Sequence, residues 1–176
     1  MFEIIVGPHN SGRTFIACCN TALLSQQHPV HFASDELSPD SLRGRIKACM
    51  LPWKPEHVTF VGEKEISSFL SNLQVSRPEA VVIDCVRPIS AQQIEVIAKS
   101  SSRVILFLQE ARGRPGVPQG SSWIAEQATR IFSIRRDGDT IRMHCRKSRD
   151  GEKEEERVFQ FPPDYLSYFR GPQEES

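Results

Sequence analysis

One short segment, placed between an apolar run and a helix-like run, constrains the fold of this chain more than any other. It reads Gly7-Pro8-His9-Asn10-Ser11-Gly12-Arg13-Thr14, and it matches the phosphate-binding pattern G-x-x-x-x-G-K-S/T at every specified position except Arg13. Glycines let the backbone wrap a phosphate, and the N-terminus of the following helix adds N–H donors and a positive dipole end. We therefore predict that residues 7–14, called the phosphate loop below, bind a nucleotide, with the Thr14 hydroxyl as a magnesium ligand. The alternative is an ordinary glycine-rich turn between a strand and a helix.

Arg13 stands where the pattern has lysine. Lysine carries a compact point charge, whereas arginine is a larger planar fork that places its charge differently relative to a phosphoryl group. Because arginine can still bind phosphate, we infer phosphate binding from this loop rather than fast hydrolysis.

Short apolar runs alternate with helix-like segments along the first two thirds of the chain. The runs predicted as strands are 2–6, 30–33, 58–61, 80–84 and 104–108, and the predicted helices cover about 14–25, 39–50, 66–73 and 91–99. Continuous rather than alternating apolar runs indicate strands that are covered on both faces. The alternation of strands and helices predicts a parallel α/β sheet.

The last third of the chain has a different pattern. Apolar runs at 131–136, 141–145 and 158–161 are separated by Asp137-Gly138 and Asp150-Gly151. Asp-Gly between such runs is typical of β-hairpins, so we expect antiparallel strands at the edge of the parallel sheet. We predict one domain over residues 1–170, and a disordered tail over 171–176.

Charge and cysteine usage narrow the classes of protein. Basic and acidic residues number 22 each, so no net charge attracts nucleic acid to the molecule as a whole. No secretory leader is visible, and no apolar run approaches the ~20 residues of a membrane span. The five cysteines lack a C-x-x-C spacing, which favours small core residues in a reducing compartment. We therefore expect a cytoplasmic protein.

Asp84 ends the apolar run 80–84. Ligands of open α/β sheets bind at the carboxyl ends of the strands. Together with the phosphate loop, this position predicts that Asp84 holds magnesium, through a water molecule. The expected cofactors are ATP and Mg²⁺.

The segment 31–42, HFASDELSPDSL, resembles the strand-acid-helix segment of DnaB-like replicative helicases and RadA-like recombination ATPases. In those families the acid before x-S-x-x-x-L polarises the attacking water, a role that the resemblance assigns to Glu36. Asp35 is adjacent and competes for that role. The alternative is a solvated acid that favours the helix dipole.

Three further segments are similar to the same families. Residues 104–109 resemble the strand that ends in a polar sensor of the γ-phosphate, which implies Gln109, and 122–128 resemble the segment before the next strand. Residues 146–151, RKSRDG, resemble the K-N-R-x-G hairpin that reaches the neighbouring subunit's nucleotide in ring-forming members. The resemblance implies that Lys147 and Arg149 act in trans on the transferred phosphoryl group. A solvated basic turn is the alternative.

The resemblance covers residues 2–161 in the family order and implies a RecA-like P-loop NTPase fold. That fold has a mostly parallel central sheet flanked by helices, with antiparallel C-terminal hairpin strands. The departures are Arg13, the missing accessory domains of both families, and a short stretch between strands at 85–103 that leaves little room for a long DNA-binding loop.

The segment 110–120 carries Arg112 and Arg114 among glycines and prolines. In the resembling families this loop faces the central channel and contacts single-stranded DNA. Two arginines on a loop, repeated around a ring, supply phosphate contacts, although no aromatic residue is present for base stacking. The alternative is a mobile surface loop.

The resemblance as a whole implies a homo-oligomer, either a ring or a filament. Such an assembly would hydrolyse ATP between subunits and act on single-stranded DNA in replication, recombination or repair. The alternative function is a nucleotide-binding adaptor that docks onto a partner with little or no hydrolysis. A small-molecule kinase needs a lid and an acceptor site, and the sequence suggests neither.

Overall fold

Strands and helices alternate along most of the chain in a computed structural model that describes residues 1–115, 117–118, 126–148, 156–166 and 168. The strands are β1 (Phe2–Gly7), β2 (Val30–Ser34), β3 (Val58–Val61), β4 (Ala80–Cys85), β5 (Arg103–Gln109), β6 (Arg130–Asp137), β7 (Thr140–Ser148) and β8 (Glu156–Gln160). The helices are α1 (Arg13–Ser25), α2 (Pro39–Ala48), α3 (Ile66–Ser76), α4 (Ala91–Ser100) and α5 (Pro163–Leu166), and a single 3-10 turn (Pro55–His57) precedes β3.

All these strands form one eight-stranded sheet in the order β3-β2-β4-β5-β1-β6-β7-β8. The pairs from β3 to β6 are parallel, whereas β7 is antiparallel to β6 and β8 is antiparallel to β7. The predicted fold class, a mostly parallel sheet with antiparallel C-terminal strands, is confirmed.

One detail of the prediction needs correction. The run 131–136 lies in β6, which pairs in parallel with β1 through Ile4 and Ile131, so it belongs to the parallel part of the sheet. The Asp-Gly turn determines only that β6 and β7 form a hairpin. The other edge of β6 pairs with β1, a strand that is distant in sequence.

Helices cover both faces of the sheet, which explains why the central strands are continuously apolar. Every residue of β4 is buried. On one face, buried residues of the sheet pack with Ile16 of α1 and with Leu42 of α2. On the other face, they pack with Leu73 of α3 and with Ile94 of α4. No helix among the described residues has the length and apolar character needed to cross a membrane.

The carboxyl ends of the parallel strands lie along one edge of the sheet. Across neighbouring strands, Gly7 is in register with Gln109, and Ser34 is in register with Asp84. This edge therefore brings together the segments that the sequence marks as functional.

Candidate functional site

The phosphate loop makes a sharp turn between β1 and α1. At one position of this turn, the backbone and its surroundings admit only glycine. Gly12 is the N-cap of α1 and has a left-handed backbone with φ 88°. A Cβ atom on Gly12 would lie 2.2 Å from Cδ1 of Ile141 and 3.0 Å from Cζ of Phe161. The loop thus lies against the core with no room for a side chain, so its backbone path is fixed by packing.

The start of α1 is open to an anion. Its N-cap offers no side-chain hydrogen bond, and its first turn contains no acidic residue. The N–H groups of a first helical turn have no partner within the helix, and the helix dipole favours negative charge there. Within the loop itself, Ser11 is 2% exposed and its Oγ has no hydrogen-bond partner among the described residues. A buried orphan hydroxyl is costly, which fits a site that is completed by a ligand.

Thr14 and Asp84 are in direct contact. The Thr14 hydroxyl donates a hydrogen bond of 2.6 Å to Oδ2 of Asp84. Asp84 is 4% exposed, and its Oδ1 has no partner among the described residues. Burial raises the pKa of Asp84, the charge of Arg13 and the Thr14 hydrogen bond lower it, and the carboxylates of Asp35 and Glu36 raise it. A buried carboxylate in which one oxygen has no hydrogen-bond partner among the described residues is suited to bind a cation.

The residues present can bind magnesium only together with the oxygens of a bound phosphate. Mg²⁺ takes oxygen ligands and usually combines one or two protein ligands with waters and substrate phosphates. Thr14 and Asp84 supply a hydroxyl and a carboxylate oxygen of that kind. Among the described residues, no group of three or more His, Cys, Asp or Glu side chains is placed to hold a metal ion by itself.

Arg13 lies across the site toward β4. It is 6% exposed, and its Nη1 donates a hydrogen bond of 3.2 Å to the carbonyl oxygen of Cys85. The guanidinium is therefore held by the strand that carries Asp84, and Arg13 is also among the residues that line the pocket above the phosphate loop. Arg13 joins the start of α1 to the end of β4.

The two adjacent acids after β2 have different surroundings. Asp35 is 6% exposed, and its carboxylate accepts hydrogen bonds from the backbone N–H groups of Val86 at 2.9 Å and Arg87 at 2.8 Å. Glu36 is exposed and lines the pocket. Both oxygens of Asp35 accept hydrogen bonds from backbone N–H groups, so Glu36 is the acid of the pair that lines the pocket.

The pocket above the phosphate loop brings together residues from three parts of the chain. Its lining consists of His9, Asn10, Ser11, Gly12, Arg13, Thr14, Glu36, Leu37, Arg45 and Tyr168. The sequence predicts the loop residues and Glu36, but it gives no sign of Arg45 or Tyr168. Arg45 lies on α2 and Tyr168 follows α5, so both reach the pocket only through the tertiary fold.

Gln109 also lies at this edge. It is half-buried at the end of β5 and is in register with Gly7 of the phosphate loop. The next residue, Glu110, donates its backbone N–H to the carbonyl oxygen of Gly7 at 3.0 Å. The predicted sensor residue is therefore a direct neighbour of the phosphate loop.

Lys147 lies far from the phosphate loop of its own chain. It pairs with Ile131 of β6, which pairs with Ile4 of β1. Ile4 is three residues before Gly7, about 10 Å along the strand at the usual rise per residue. Lys147 is thus toward the amino edge of the sheet. Arg149, its predicted companion, is outside the described residues, as are most of 122–128 and the tail 171–176.

Arg112 and Arg114 lie on a turn that follows β5. Both are exposed, and the N–H of Arg114 donates to the carbonyl oxygen of Ala111 at 3.0 Å. Gly113 between them has a left-handed backbone with φ 72°. The turn is on the same edge of the sheet as the phosphate loop. It carries the two arginines that were predicted to contact DNA.

Comparison with known proteins identifies the fold. No protein-family model matches the sequence, and no curated protein matches it in sequence. The solved structure of the RadB recombinase is similar, with a TM-score of 0.67, 16% identity, and coverage of 90% of this chain and 86% of that one. The flagellar accessory protein FlaH from Methanocaldococcus jannaschii is similar at a TM-score of 0.66 and 12% identity, covering 90% and 84%.

A DnaB-like replicative helicase is also similar, with a TM-score of 0.65 and 16% identity over 93% of this chain. This chain spans only 56% of that helicase. These similarities confirm the predicted RecA-like fold.

Proposed function

We propose that this protein binds a nucleoside triphosphate, ATP, together with Mg²⁺ in the pocket above the phosphate loop. The single observation that carries the proposal is the contact between the Thr14 hydroxyl and the Asp84 carboxylate beside an uncapped helix start. The loop N–H groups and Arg13 hold the phosphates, and Thr14 with Asp84 hold the metal. Bound Mg²⁺ would offset the negative charge that gathers on the phosphate oxygens.

The reaction we propose is hydrolysis of the terminal phosphate. The oxygen of a water molecule attacks the γ-phosphorus, the bond to the β–γ bridging oxygen breaks, and the products are ADP and inorganic phosphate. Glu36 orients this water and accepts its proton, because it is the exposed acid of the pocket. Gln109, beside Gly7, contacts the γ-phosphate as a sensor.

We further propose that the protein assembles into a homo-oligomer in which Lys147 and Arg149 complete the site of a neighbouring subunit. The location of Lys147 toward the opposite edge of the sheet supports this, since it excludes a contact between Lys147 and its own phosphate loop. Arg112 and Arg114, exposed on one turn, would contact single-stranded DNA. Two of the similar structures are named as a recombinase and a replicative helicase.

A second candidate function is a nucleotide-binding adaptor with little or no turnover. The hydrogen bond from Arg13 to the Cys85 carbonyl favours it, because a guanidinium held by β4 is less free to follow a phosphoryl group during transfer. One similar structure is named as an accessory protein.

The experiment that separates the two functions measures ATP turnover with and without single-stranded DNA, alongside the mass of the protein in solution. If the protein is an oligomeric ATPase that acts on DNA, turnover should require an oligomer and should rise with DNA. The adaptor predicts ATP binding without turnover even in an assembled state. Absence of ATP binding would contradict both.

A further inference from the structure

Arg45 of α2 is a half-buried cation that lines the pocket, as does Glu36. Its guanidinium carbon lies 4.6 Å from the centroid of the Tyr168 ring. Burial raises the pKa of the nearby Tyr165 hydroxyl, and the charge of Arg45 and a side-chain hydrogen bond with it act to lower that pKa. The Nε of Arg45 is enclosed without a hydrogen-bond partner among the described residues. Among those same residues, no carboxylate forms an ion pair with it.

Such surroundings are unusual for an arginine that only solubilises a helix. Partial burial of a charge without a counterion is costly. The contact with the Tyr168 ring offsets part of that cost. By contrast, Arg43 and Lys47, the other cations of α2, are both exposed and do not line the pocket. Arg45 is therefore the one cation of this helix that lines the pocket.

Arg45 adds a second cation to the pocket that Arg13 lines. In the motif, lysine supplies the charge at the outer phosphates, but here the residue at that position is hydrogen-bonded to Cys85. Glu36, Leu37 and Arg45 line this pocket together with residues of the phosphate loop. A guanidinium matches the geometry of phosphate oxygens through paired N–H donors.

We propose that Arg45 is a phosphate-binding residue that contacts the terminal phosphate of a bound nucleoside triphosphate, with Tyr168 as its positioning residue. The site consequently prefers a nucleoside triphosphate over the diphosphate. This inference rests on the proposed function, because it names the group that recognises the γ-phosphate in the same pocket. Through Tyr168, the segment after β8 becomes part of the site.

The test compares the affinities for ATP and ADP, measured by calorimetry with Mg²⁺, in the wild-type protein and four variants. Arg45→Ala should weaken ATP binding about tenfold or more, as for the loss of a charged hydrogen bond, and change ADP binding little. Arg45→Lys should recover part of the ATP affinity because it keeps the charge. Arg43→Ala is the matched control on the same helix and should change neither affinity.

Equal losses of ATP and ADP affinity in Arg45→Ala would overturn the inference, because a merely structural residue does not distinguish the two nucleotides. Unchanged ATP affinity would overturn it as well. Tyr168→Leu provides a second variant that leaves Arg45 in place, and it should show a smaller loss confined to ATP. If the wild-type protein bound neither nucleotide, the proposed function itself would be wrong, so the two failures are distinct.

Discussion

The hydroxyl of Thr14 and the carboxylate of Asp84 are joined by a hydrogen bond of 2.6 Å, across 70 residues of sequence. Thr14 lies in the first turn of α1, and Asp84 lies in β4, which is separated from β1 by β5. The contact therefore links the phosphate loop to a strand that is not its neighbour in the sheet. Oδ1 of Asp84 is buried and has no hydrogen-bond partner among the described residues.

The first prediction concerns the backbone of the phosphate loop. Gly12→Ala adds a Cβ 2.2 Å from Cδ1 of the fully buried Ile141, at φ 88°. We expect a loss of about 1–3 kcal/mol from overpacking in addition to about 1–2 kcal/mol from the left-handed backbone. Chemical denaturation measures this change in the free energy of unfolding.

Gly138→Ala is the matched control for that measurement. Gly138 also has a positive φ, 58°, but a Cβ there would meet nothing within 4 Å. It should therefore lose only the conformational part. Equal losses in the two variants would show that the packing of Gly12 against Ile141 does not constrain the loop.

The second prediction separates the adjacent acids. Glu36→Gln should lower the rate of hydrolysis by at least about 100-fold, the low end for a positioned acid–base group, with nucleotide binding and melting temperature unchanged. Asp35→Asn should instead destabilise the fold by about 1–3 kcal/mol, because the N–H groups of Val86 and Arg87 lose a charged acceptor. Turnover assays and thermal melts measure the two effects. The reverse pattern would assign the catalytic role to Asp35.

The third prediction tests the role of Arg149 across a subunit boundary. A mixture of Glu36→Gln and Arg149→Ala should regain part of the ATPase activity, since some interfaces then pair an intact Glu36 with an intact Arg149. An arginine supplied in trans contributes about 10³ or more in rate, so the recovery is measurable.

The control for mixing combines Glu36→Gln with Thr14→Ala. Both changes affect residues of the same pocket, so no mixed interface contains a complete site and activity should not return. Recovery in neither mixture, or a protein that remains a monomer, would assign Lys147 and Arg149 to a solvated basic turn.

The fold is predictable from the sequence wherever local pattern decides the structure. Residues 58–61 were predicted as a strand, and β3 spans Val58–Val61. The parallel pairing of Ile131 with Ile4 is not predictable in this way. Partners that are more than 100 residues apart are chosen by the packing of the whole sheet, and the Asp-Gly turn specifies only one edge of β6.

The residues of the site also divide into those whose positions the sequence predicts and those whose positions it does not. The positions of the phosphate loop and Asp84 are predictable from the sequence. A backbone motif determines the first, and the end of a strand determines the second. The separation of Asp35 from Glu36 depends on the path of the backbone at Val86, which no local pattern encodes. Arg45 reaches the pocket because α2 packs on the same face of the sheet as α1. The roles of these residues as ligands and catalysts stay predictions.

The measurement that tests the central claim most directly is a calorimetric titration of ATP into the wild-type protein, Thr14→Ala and Asp84→Ala, with and without Mg²⁺. Thr21→Val, a hydroxyl change on the same helix away from the loop, is the control. We predict that Mg²⁺-dependent binding weakens about 10- to 100-fold in Thr14→Ala and in Asp84→Ala, as for a lost hydrogen bond to a charged group, and stays unchanged in Thr21→Val. Unchanged affinity in both Thr14→Ala and Asp84→Ala would contradict a nucleotide site at the phosphate loop.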